Sequence, residues 1–151
     1  MKILILCTGN SCRSQMAQAF LSSFDSTLDV FSAGTNPAEK LNLMAIAVMK
    51  EVNINLEGYY PKDVKLYLNE PWDYVITVCN GANEICPMFY GNVKHRLHFG
   101  FDDPARVTGN VEYVMGEFRR IRDEIKNKFF SFYENEIKKV QELSQCSCDD
   151  K

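Results

Sequence analysis

The chain begins with a predicted strand, KILIL at residues 2–6, which is an uninterrupted apolar run after Lys2, and a short polar stretch, CTGNSCRS, follows it directly. A continuous apolar run of this kind is typical of a strand that is buried on both faces of a parallel sheet. After Arg13 the apolar side chains recur at helical spacing. Strand, loop and helix in this order predict that residues 8–13 lie at a helix N-terminus, where backbone N–H groups and the helix dipole can bind an oxyanion.

The rest of the chain continues this alternation of strands and helices. The predicted strands cover residues 2–6, 28–32, 74–78 and 93–99. A second helix is predicted to begin at Asn36, because Asn36, Pro37 and Glu39 supply an N-cap, a proline at N1 and an acidic residue at N3. A long terminal helix is predicted from Val111, where apolar residues recur in steps of three and four. The pattern predicts an α/β fold in which helices cover a parallel sheet.

The length and the net charge of the chain indicate how many domains it has and which classes of partner it lacks. A chain of 151 residues with 46% apolar content is sufficient for one buried core, so we expect a single domain over residues 1–145 and a disordered, cysteine-containing tail over residues 146–151. The net charge of −3 gives no basic surface for nucleic acid or an anionic membrane. No apolar run approaches the ~20 residues of a membrane span, and none forms an export signal. We therefore expect a cytoplasmic protein with reduced cysteines.

Cys7 and Arg13 are the chemically informative residues of the first loop. The field at the helix N-terminus favours a thiolate over a thiol, so Cys7 is predicted to be a reactive nucleophile. The guanidinium of Arg13 is predicted to bind two oxygens of the same anion. We expect Gly9 to permit a backbone turn that another residue would resist, and Asn10 to tolerate left-handed geometry and brace the loop with its amide. The alternative interpretation is that Cys7 is a buried strand-end cysteine and Arg13 a surface arginine.

Four segments of the sequence together carry a resemblance to a known family. They are CTGNSCRSQMA, SAG at residues 32–34, TVCNGANEICP with its two cysteines, and GFDDPA at residues 100–105. From residue 2 to about residue 128, the chain resembles the low-molecular-weight protein tyrosine phosphatase superfamily and, within it, the thioredoxin-coupled arsenate reductases. The resemblance implies a four-stranded parallel sheet flanked by helices, the phosphotyrosine phosphatase I-like fold, and a catalytic domain that needs no cofactor.

The resemblance also implies roles for individual residues. Cys7 would be the nucleophile, Arg13 would clamp the anion, and Asp103 would be the general acid. Ser14 would donate a hydrogen bond to the nucleophilic sulfur. The loop that binds the oxyanion would consist of Thr8, Gly9, Asn10, Ser11, Cys12 and Arg13, and its second cysteine, Cys12, would have no essential role.

Asp103 is also chemically suited to act as an acid. An oxygen leaves a tetrahedral oxyanion more readily when a nearby group supplies a proton. A carboxyl group on a loop beside Pro104 can take that position. The alternative interpretation is that Asp102 and Asp103 merely form a turn, as Asp-Pro pairs commonly do.

Cys79 and Cys86 are the residues that distinguish an arsenate reductase from a phosphatase. Ester hydrolysis uses one thiol, whereas the reduction of arsenate to arsenite takes two electrons from thiols. The resemblance implies that Cys7 attacks arsenate, that Cys79 then attacks the Cys7 sulfur and expels arsenite, and that Cys86 resolves the resulting bond. The disulfide between Cys79 and Cys86 would pass to thioredoxin.

The spacing of Cys79 and Cys86 limits the conformation of the segment between them. If residues 80–85 were helical, the backbones of the two cysteines would be ~10 Å apart. A disulfide spans only about 4.4–6.8 Å between Cα atoms. We therefore expect this segment to rearrange.

Other interpretations stay open at this point. The chain could be a phosphatase that hydrolyses phosphomonoesters through a Cys7 phosphocysteine intermediate, with Cys79 and Cys86 as small core residues. It could also be a non-catalytic thiol sensor for arsenite or soft metals, although such a sensor has no need of Arg13 or Asp103.

The resemblance also bears on a cation site. Several reductases of this type hold a potassium ion near the loop, and Asn10, Ser32 and Asp63 match the positions of its ligands. The usual acidic residue of the first helix is Gln18 here. We therefore expect at most a weak potassium site.

Overall fold

The structure is a computed structural model that describes residues 1–80 and 89–146. Its strands are β1 (Lys2–Cys7), β2 (Asp29–Gly34), β3 (Trp72–Thr77) and β4 (Val93–His98). Its α-helices are α1 (Arg13–Phe24), α2 (Leu43–Glu51), α3 (Val111–Phe132) and α4 (Lys138–Cys146). The strands form one parallel sheet in the order β2-β1-β3-β4, which confirms the four-stranded parallel sheet flanked by helices.

β1 lies in the interior of the sheet and is buried on both faces. Ile3 and Ile5 are fully buried against the α-helices, whereas Leu4 and Leu6 pack with Trp72 on the other face. Successive side chains of a strand point to opposite faces of the sheet. The uninterrupted apolar run at the start of the chain is therefore explained by burial on both sides.

Three α-helices cover the face of the sheet that contains Ile3 and Ile5. Their buried side chains include Met16, Phe20 and Leu21 of α1, Ala45, Val48 and Met49 of α2, and Phe118, Ile121, Ile125 and Phe129 of α3. α3 continues through a π-helical turn, Tyr133–Ile137, into α4. Cys146, which we assigned to the tail, is the last residue of α4, and residues 147–151 lie outside the described residues. Within the described ranges, no helix is long and apolar enough to cross a membrane.

The prediction that the second helix begins at Asn36 is wrong. The N-cap of α2 is Asn42, whose Oδ1 accepts hydrogen bonds from the N–H groups of Met44 (2.9 Å) and Ala45 (3.2 Å). The N–H of Asn36 donates instead to the carbonyl oxygen of Thr8 over 2.9 Å. The segment between β2 and α2 is therefore used to support the first loop and is not available for a helix.

Candidate active site

The loop between β1 and α1, residues 8–12, is held by the segment that follows β2. The N–H groups of Thr35, Asn36, Ala38 and Asn42 donate to the carbonyl oxygens of Cys7, Thr8, Gly9 and Ser11, at 3.2, 2.9, 2.9 and 3.0 Å respectively. These carbonyl groups therefore point out of the loop. Because a trans peptide places its N–H opposite its C=O, the N–H groups of Gly9, Asn10 and Cys12 point inward, whereas that of Thr8 donates to the sulfur of Cys79. Backbone donors that converge in this way form an oxyanion site.

Asn10 braces this loop. Its φ is 50°, in the left-handed region that we expect an asparagine to tolerate. Its Nδ2 donates to Ser14 Oγ (2.8 Å), and its Oδ1 accepts from the N–H of Lys62 (2.9 Å) and from Gln15 Nε2 (3.0 Å). The amide thus connects the loop to α1 and to the chain beyond β2.

The glycine that the loop requires is Gly34, and the expectation for Gly9 is wrong. Gly9 is not in the left-handed region, and a Cβ on it would lie 3.5 Å from Ser11 Oγ, an ordinary contact. A Cβ on Gly34 would overlap the carbonyl oxygen of Thr8 and would lie 3.1 Å from the backbone nitrogen of Asn10. The end of β2 therefore approaches the loop so closely that only a glycine fits.

Cys7 ends β1, and its sulfur lies inside the loop. The side chain is buried, and Sγ accepts a hydrogen bond from the N–H of Asn10 over 3.2 Å. Ser14 Oγ lies 2.8 Å from the same sulfur. Ser14 Oγ accepts the amide of Asn10 and can donate its own proton to a Cys7 thiolate. Both donors stabilise negative charge on Cys7, which is the form of the side chain that acts as a nucleophile.

Arg13 and Asp103 meet at the same pocket. Arg13 is the first residue of α1, and its buried guanidinium donates through Nη1 to the carbonyl oxygen of Phe101 over 2.9 Å. Its Nη2 lies 3.7 Å from Asp103 Oδ2. The other oxygen, Oδ1, accepts the N–H of Ala105 over 3.0 Å and caps a short 3-10 helix. Asp103 thus forms the turn that we weighed as the alternative and also places one oxygen beside Arg13.

The pocket has a volume of about 370 Å³. Its described lining residues are Cys7, Thr8, Gly9, Asn10, Ser11, Cys12, Arg13, Asp103, Ala105 and Arg106. The whole loop proposed from the sequence therefore lines one cavity together with Asp103. Among these described lining residues there is no aromatic side chain.

Cys79 lies directly beside the loop. Its side chain is buried, and its Sγ accepts the backbone N–H of Thr8 over 3.2 Å, with Thr8 Oγ1 at 3.9 Å. The structure therefore brings a second thiol to the residue that follows Cys7. Cys86 and the predicted rearrangement of its segment lie outside the described residues, as does Cys148.

Cys12 is a second buried cysteine of the loop. Burial is the main cause that raises the pKa of its thiol, and the nearby Asp103 and Cys7 raise it further. A thiol held in its neutral form is a poor nucleophile. This property fits the expectation that Cys12 has no essential role.

The three residues matched to a cation site, Asn10, Ser32 and Asp63, each have hydrogen-bond partners elsewhere in the fold. Ser32 Oγ donates to Gln18 Oε1 (2.6 Å), and Gln18 Nε2 donates to the carbonyl oxygen of Val30 (3.2 Å). Asp63 Oδ1 caps a short 3-10 helix through the N–H of Lys65 over 2.9 Å. Among the described residues, no group of three or more His, Cys, Asp and Glu side chains could hold a metal ion. Of the matched residues and Gln18, only Asp63 carries a charge, so the set offers a cation little electrostatic attraction.

Two residues near the pocket were not identified from the sequence. Gln15 is fully buried, and its Nε2 donates to the carbonyl oxygens of Asn10 (3.0 Å) and Tyr60 (2.9 Å). The sequence signal that could have identified Gln15 is its position as a polar residue next to the apolar face of α1. Arg106 lies three residues after Asp103, and this i,i+3 spacing was the signal for an ion pair.

Comparison with known proteins gives consistent matches along most of the chain. The family model described as low molecular weight phosphotyrosine protein phosphatase matches residues 2–143. An arsenate reductase of Halalkalibacterium halodurans is 41% identical over 133 residues, which are 87% of this chain and 94% of that protein. A solved arsenate reductase in its reduced state has a TM-score of 0.71 and 27% identity, covering 92% of this chain and 98% of the other. A thioredoxin-dependent arsenate reductase of Corynebacterium glutamicum has a TM-score of 0.55 and 27% identity, covering 85% of this chain and 61% of the other.

Proposed function

Because the chain belongs to the low molecular weight phosphotyrosine protein phosphatase family, we propose that it is an arsenate reductase that uses Cys7, Cys79 and Cys86, with thioredoxin as reductant. The observation that carries this proposal is the hydrogen bond from the N–H of Thr8 to the sulfur of Cys79. A phosphatase completes its reaction with one thiol. Reduction of arsenate needs a second thiol to form a disulfide with Cys7, and the buried thiol of Cys79 lies against the loop that follows Cys7.

In the first step, the loop N–H groups and Arg13 hold arsenate in the pocket. The Cys7 thiolate attacks arsenic and forms a sulfur–arsenic bond. One hydroxyl of arsenate leaves as water with the proton that Asp103 donates. The product is a thioester of arsenate on Cys7, and Asp103 is left as a carboxylate.

In the second step, the sulfur of Cys79 attacks the sulfur of Cys7. A sulfur–sulfur bond forms, the sulfur–arsenic bond breaks, its electron pair stays on arsenic, and the thiol proton of Cys79 passes to an oxygen of the departing arsenite. Arsenic is thereby reduced from As(V) to As(III), and two thiol sulfurs are oxidised to a disulfide. Cys86 then attacks Cys79 and releases Cys7 as a thiolate.

Thioredoxin is proposed as the reductant of the disulfide between Cys79 and Cys86. Support comes from the Corynebacterium glutamicum neighbour, which is a thioredoxin-dependent enzyme. Dithiol exchange returns both sulfurs to the thiol form and so permits a second turnover. A cytoplasmic location fits this scheme, since the relay starts from reduced cysteines.

Phosphatase activity toward small phosphomonoesters is the second candidate function. The loop, Arg13 and Asp103 are sufficient for it, because phosphate has the same tetrahedral shape as arsenate. An aryl phosphate would bring a ring to the pocket, and aromatic side chains are the usual partners of such a ring. The described lining residues supply none. We therefore propose ester hydrolysis only as a residual activity.

A coupled assay tests the proposal. Arsenate-dependent oxidation of NADPH is measured with thioredoxin and thioredoxin reductase, and in parallel with glutathione and glutaredoxin. We expect sustained turnover with thioredoxin and little with glutaredoxin. Hydrolysis of p-nitrophenyl phosphate without any arsenate turnover would favour the phosphatase. Turnover with glutaredoxin alone would contradict the choice of reductant.

A further inference from the structure

The turn that carries Asp103 also brings a second arginine to the pocket. Arg106 ends the short 3-10 helix Pro104–Arg106 and lines the pocket together with Asp103 and Ala105. Its side chain is 86% exposed, whereas that of Arg13 is 8% exposed. Arg13 therefore forms the base of the site, and Arg106 stands at its mouth.

The two guanidinium groups share one carboxylate oxygen. Asp103 Oδ2 lies 3.7 Å from Arg13 Nη2 and 3.6 Å from Arg106 Nε. Arg13 is also fixed by its hydrogen bond to the carbonyl oxygen of Phe101. An exposed ion pair such as that of Arg106 is weak in water, so the side chain of Arg106 can leave Asp103 at little cost and turn toward an anion.

Protonation of Asp103 changes the charge balance of the pocket. An acid that is ready to donate its proton is neutral, so it no longer pairs with either guanidinium. Two positive groups, Arg13 and Arg106, then face the pocket. Arsenate with a single proton carries two negative charges, and guanidinium groups form strong, charge-assisted hydrogen bonds with such oxygens.

The geometry points to Arg106 as a second oxyanion-binding residue, which recruits free oxyanion dianions and disfavours phosphate esters at the mouth of the pocket. This assignment rests on the proposed function for its substrate. A free dianion offers all its oxygens, whereas an ester has one oxygen blocked by an organic group. That group must pass the mouth, where it meets a charged and hydrated side chain in place of an apolar surface.

The test compares Arg106→Ala and Arg106→Lys with the control Lys126→Ala. Lys126 is exposed on α3, and its replacement changes the net charge of the protein by the same single unit as Arg106→Ala. Binding of inorganic phosphate to the reduced protein is measured by calorimetry, and arsenate kinetics are measured in the thioredoxin assay. The ratio of activity toward arsenate and p-nitrophenyl phosphate is measured for each variant.

We expect Arg106→Ala to raise the phosphate Kd and the arsenate KM by about tenfold, because it removes charge-assisted hydrogen bonds, and to leave kcat within about twofold. Arg106→Lys should raise the phosphate Kd and the arsenate KM by less, since lysine keeps the positive charge but cannot form bidentate hydrogen bonds. The dependence of arsenate kcat/KM on salt should be weaker in Arg106→Ala than in the wild type. Activity on the aryl ester should fall less than activity on arsenate.

Three results would overturn the assignment. They are an unchanged phosphate Kd in Arg106→Ala, an equal loss in Lys126→Ala, and a fall in kcat alone, which would make Arg106 a positioning residue for Asp103. The calorimetric measurement does not depend on turnover. A loss of phosphate affinity in a protein that fails to reduce arsenate would therefore support the role of Arg106 and contradict the proposed function.

Discussion

The backbone N–H of Thr8 donates a hydrogen bond to the sulfur of Cys79 over 3.2 Å, although 71 positions of sequence separate the two residues. The sheet makes this contact, because β1 and β3 are neighbours and the N–H of Val78 donates to the carbonyl oxygen of Leu6 over 2.9 Å. The end of one strand therefore presents its thiol to the loop at the end of the other. The first prediction follows from this relationship.

Cys79→Ser should abolish arsenate turnover and leave hydrolysis of p-nitrophenyl phosphate largely intact. A serine hydroxyl cannot form the disulfide that arsenate reduction needs, whereas hydrolysis uses only the loop, Arg13 and Asp103. The two activities are measured on the same preparation. Equal loss of both in a folded variant would indicate that Cys79 has a structural role.

Cys7→Ser should abolish both activities, because a hydroxyl is not a thiolate at neutral pH. Cys12→Ser is the matched control in the same loop. Since burial raises the pKa of the Cys12 thiol, this group stays neutral, and its replacement should keep both activities within a few-fold of the wild type. If Cys7→Ser retained either activity, the nucleophile would have to be another residue.

Cys86→Ser should stop after about one turnover, with Cys7 and Cys79 joined by a disulfide. The reason is that the resolving thiol is missing, so Cys7 is not released. A burst of arsenite close to the enzyme concentration, together with mass spectrometry of non-reduced peptides, measures this outcome. Sustained multiple turnover in the variant would exclude Cys86 from the relay.

Gly34→Ala should destabilise the protein by ~2 kcal/mol, within the range for overpacking, because its Cβ would overlap the carbonyl oxygen of Thr8. It should also lower both activities, since the loop must shift to make room. Gly116→Ala is the control: a Cβ there meets no atom within 4 Å, and Gly116 lies inside α3. That change should stabilise by about 0.5–1 kcal/mol. Urea unfolding measures both, and equal midpoints for the two variants would contradict the close approach of Gly34.

Asp25 should make stability depend on acid pH. Hydrogen bonds from Thr27, then from Gln141, hold its pKa at about 2, below its ordinary value of 3.8. A carboxyl group with a lowered folded-state pKa stabilises fully above its unfolded pKa and loses this effect as the pH falls through the folded value. The contribution should therefore disappear between about pH 4 and pH 2. Thermal unfolding at pH 5 and pH 2.5 should show a smaller loss for Asp25→Asn than for the wild type; parallel losses would exclude the effect.

The strands were predictable from sequence because their signals are local. The apolar run of β1 is visible without knowledge of its neighbours, and its predicted end at residue 6 lies one residue from the observed end at Cys7. The terminal helix was predicted from Val111, where α3 begins, because its apolar spacing is also local. Contacts with distant segments stabilise β1 and α3, but the local sequence is sufficient to indicate where they lie.

The predicted start of α2 was wrong because the contacts that determine where this helix begins involve residues that are distant in sequence. Asn36 carries a valid capping signal, but the chain from Thr35 to Asn42 runs along the first loop and donates hydrogen bonds to its carbonyl groups, so the helix begins only after Asn42. The close approach of Gly34 to Thr8 depends on the pairing of β2 with β1 and is likewise hidden in the sequence. The role of Arg106 was missed for a similar reason, since its place in the pocket depends on how the Asp103 turn meets the loop.

The hydrogen bonds that Thr35, Asn36, Ala38 and Asn42 donate to the loop carbonyls have a consequence for selectivity. A loop held from outside is preorganised: its inward dipoles do not have to reorient when the anion arrives, and no reorganisation energy is lost in binding. The same stiffness prevents the loop from adapting to another shape. We therefore expect it to accept tetrahedral anions such as arsenate, phosphate and vanadate, and to reject planar ones such as nitrate and carbonate even at equal charge density.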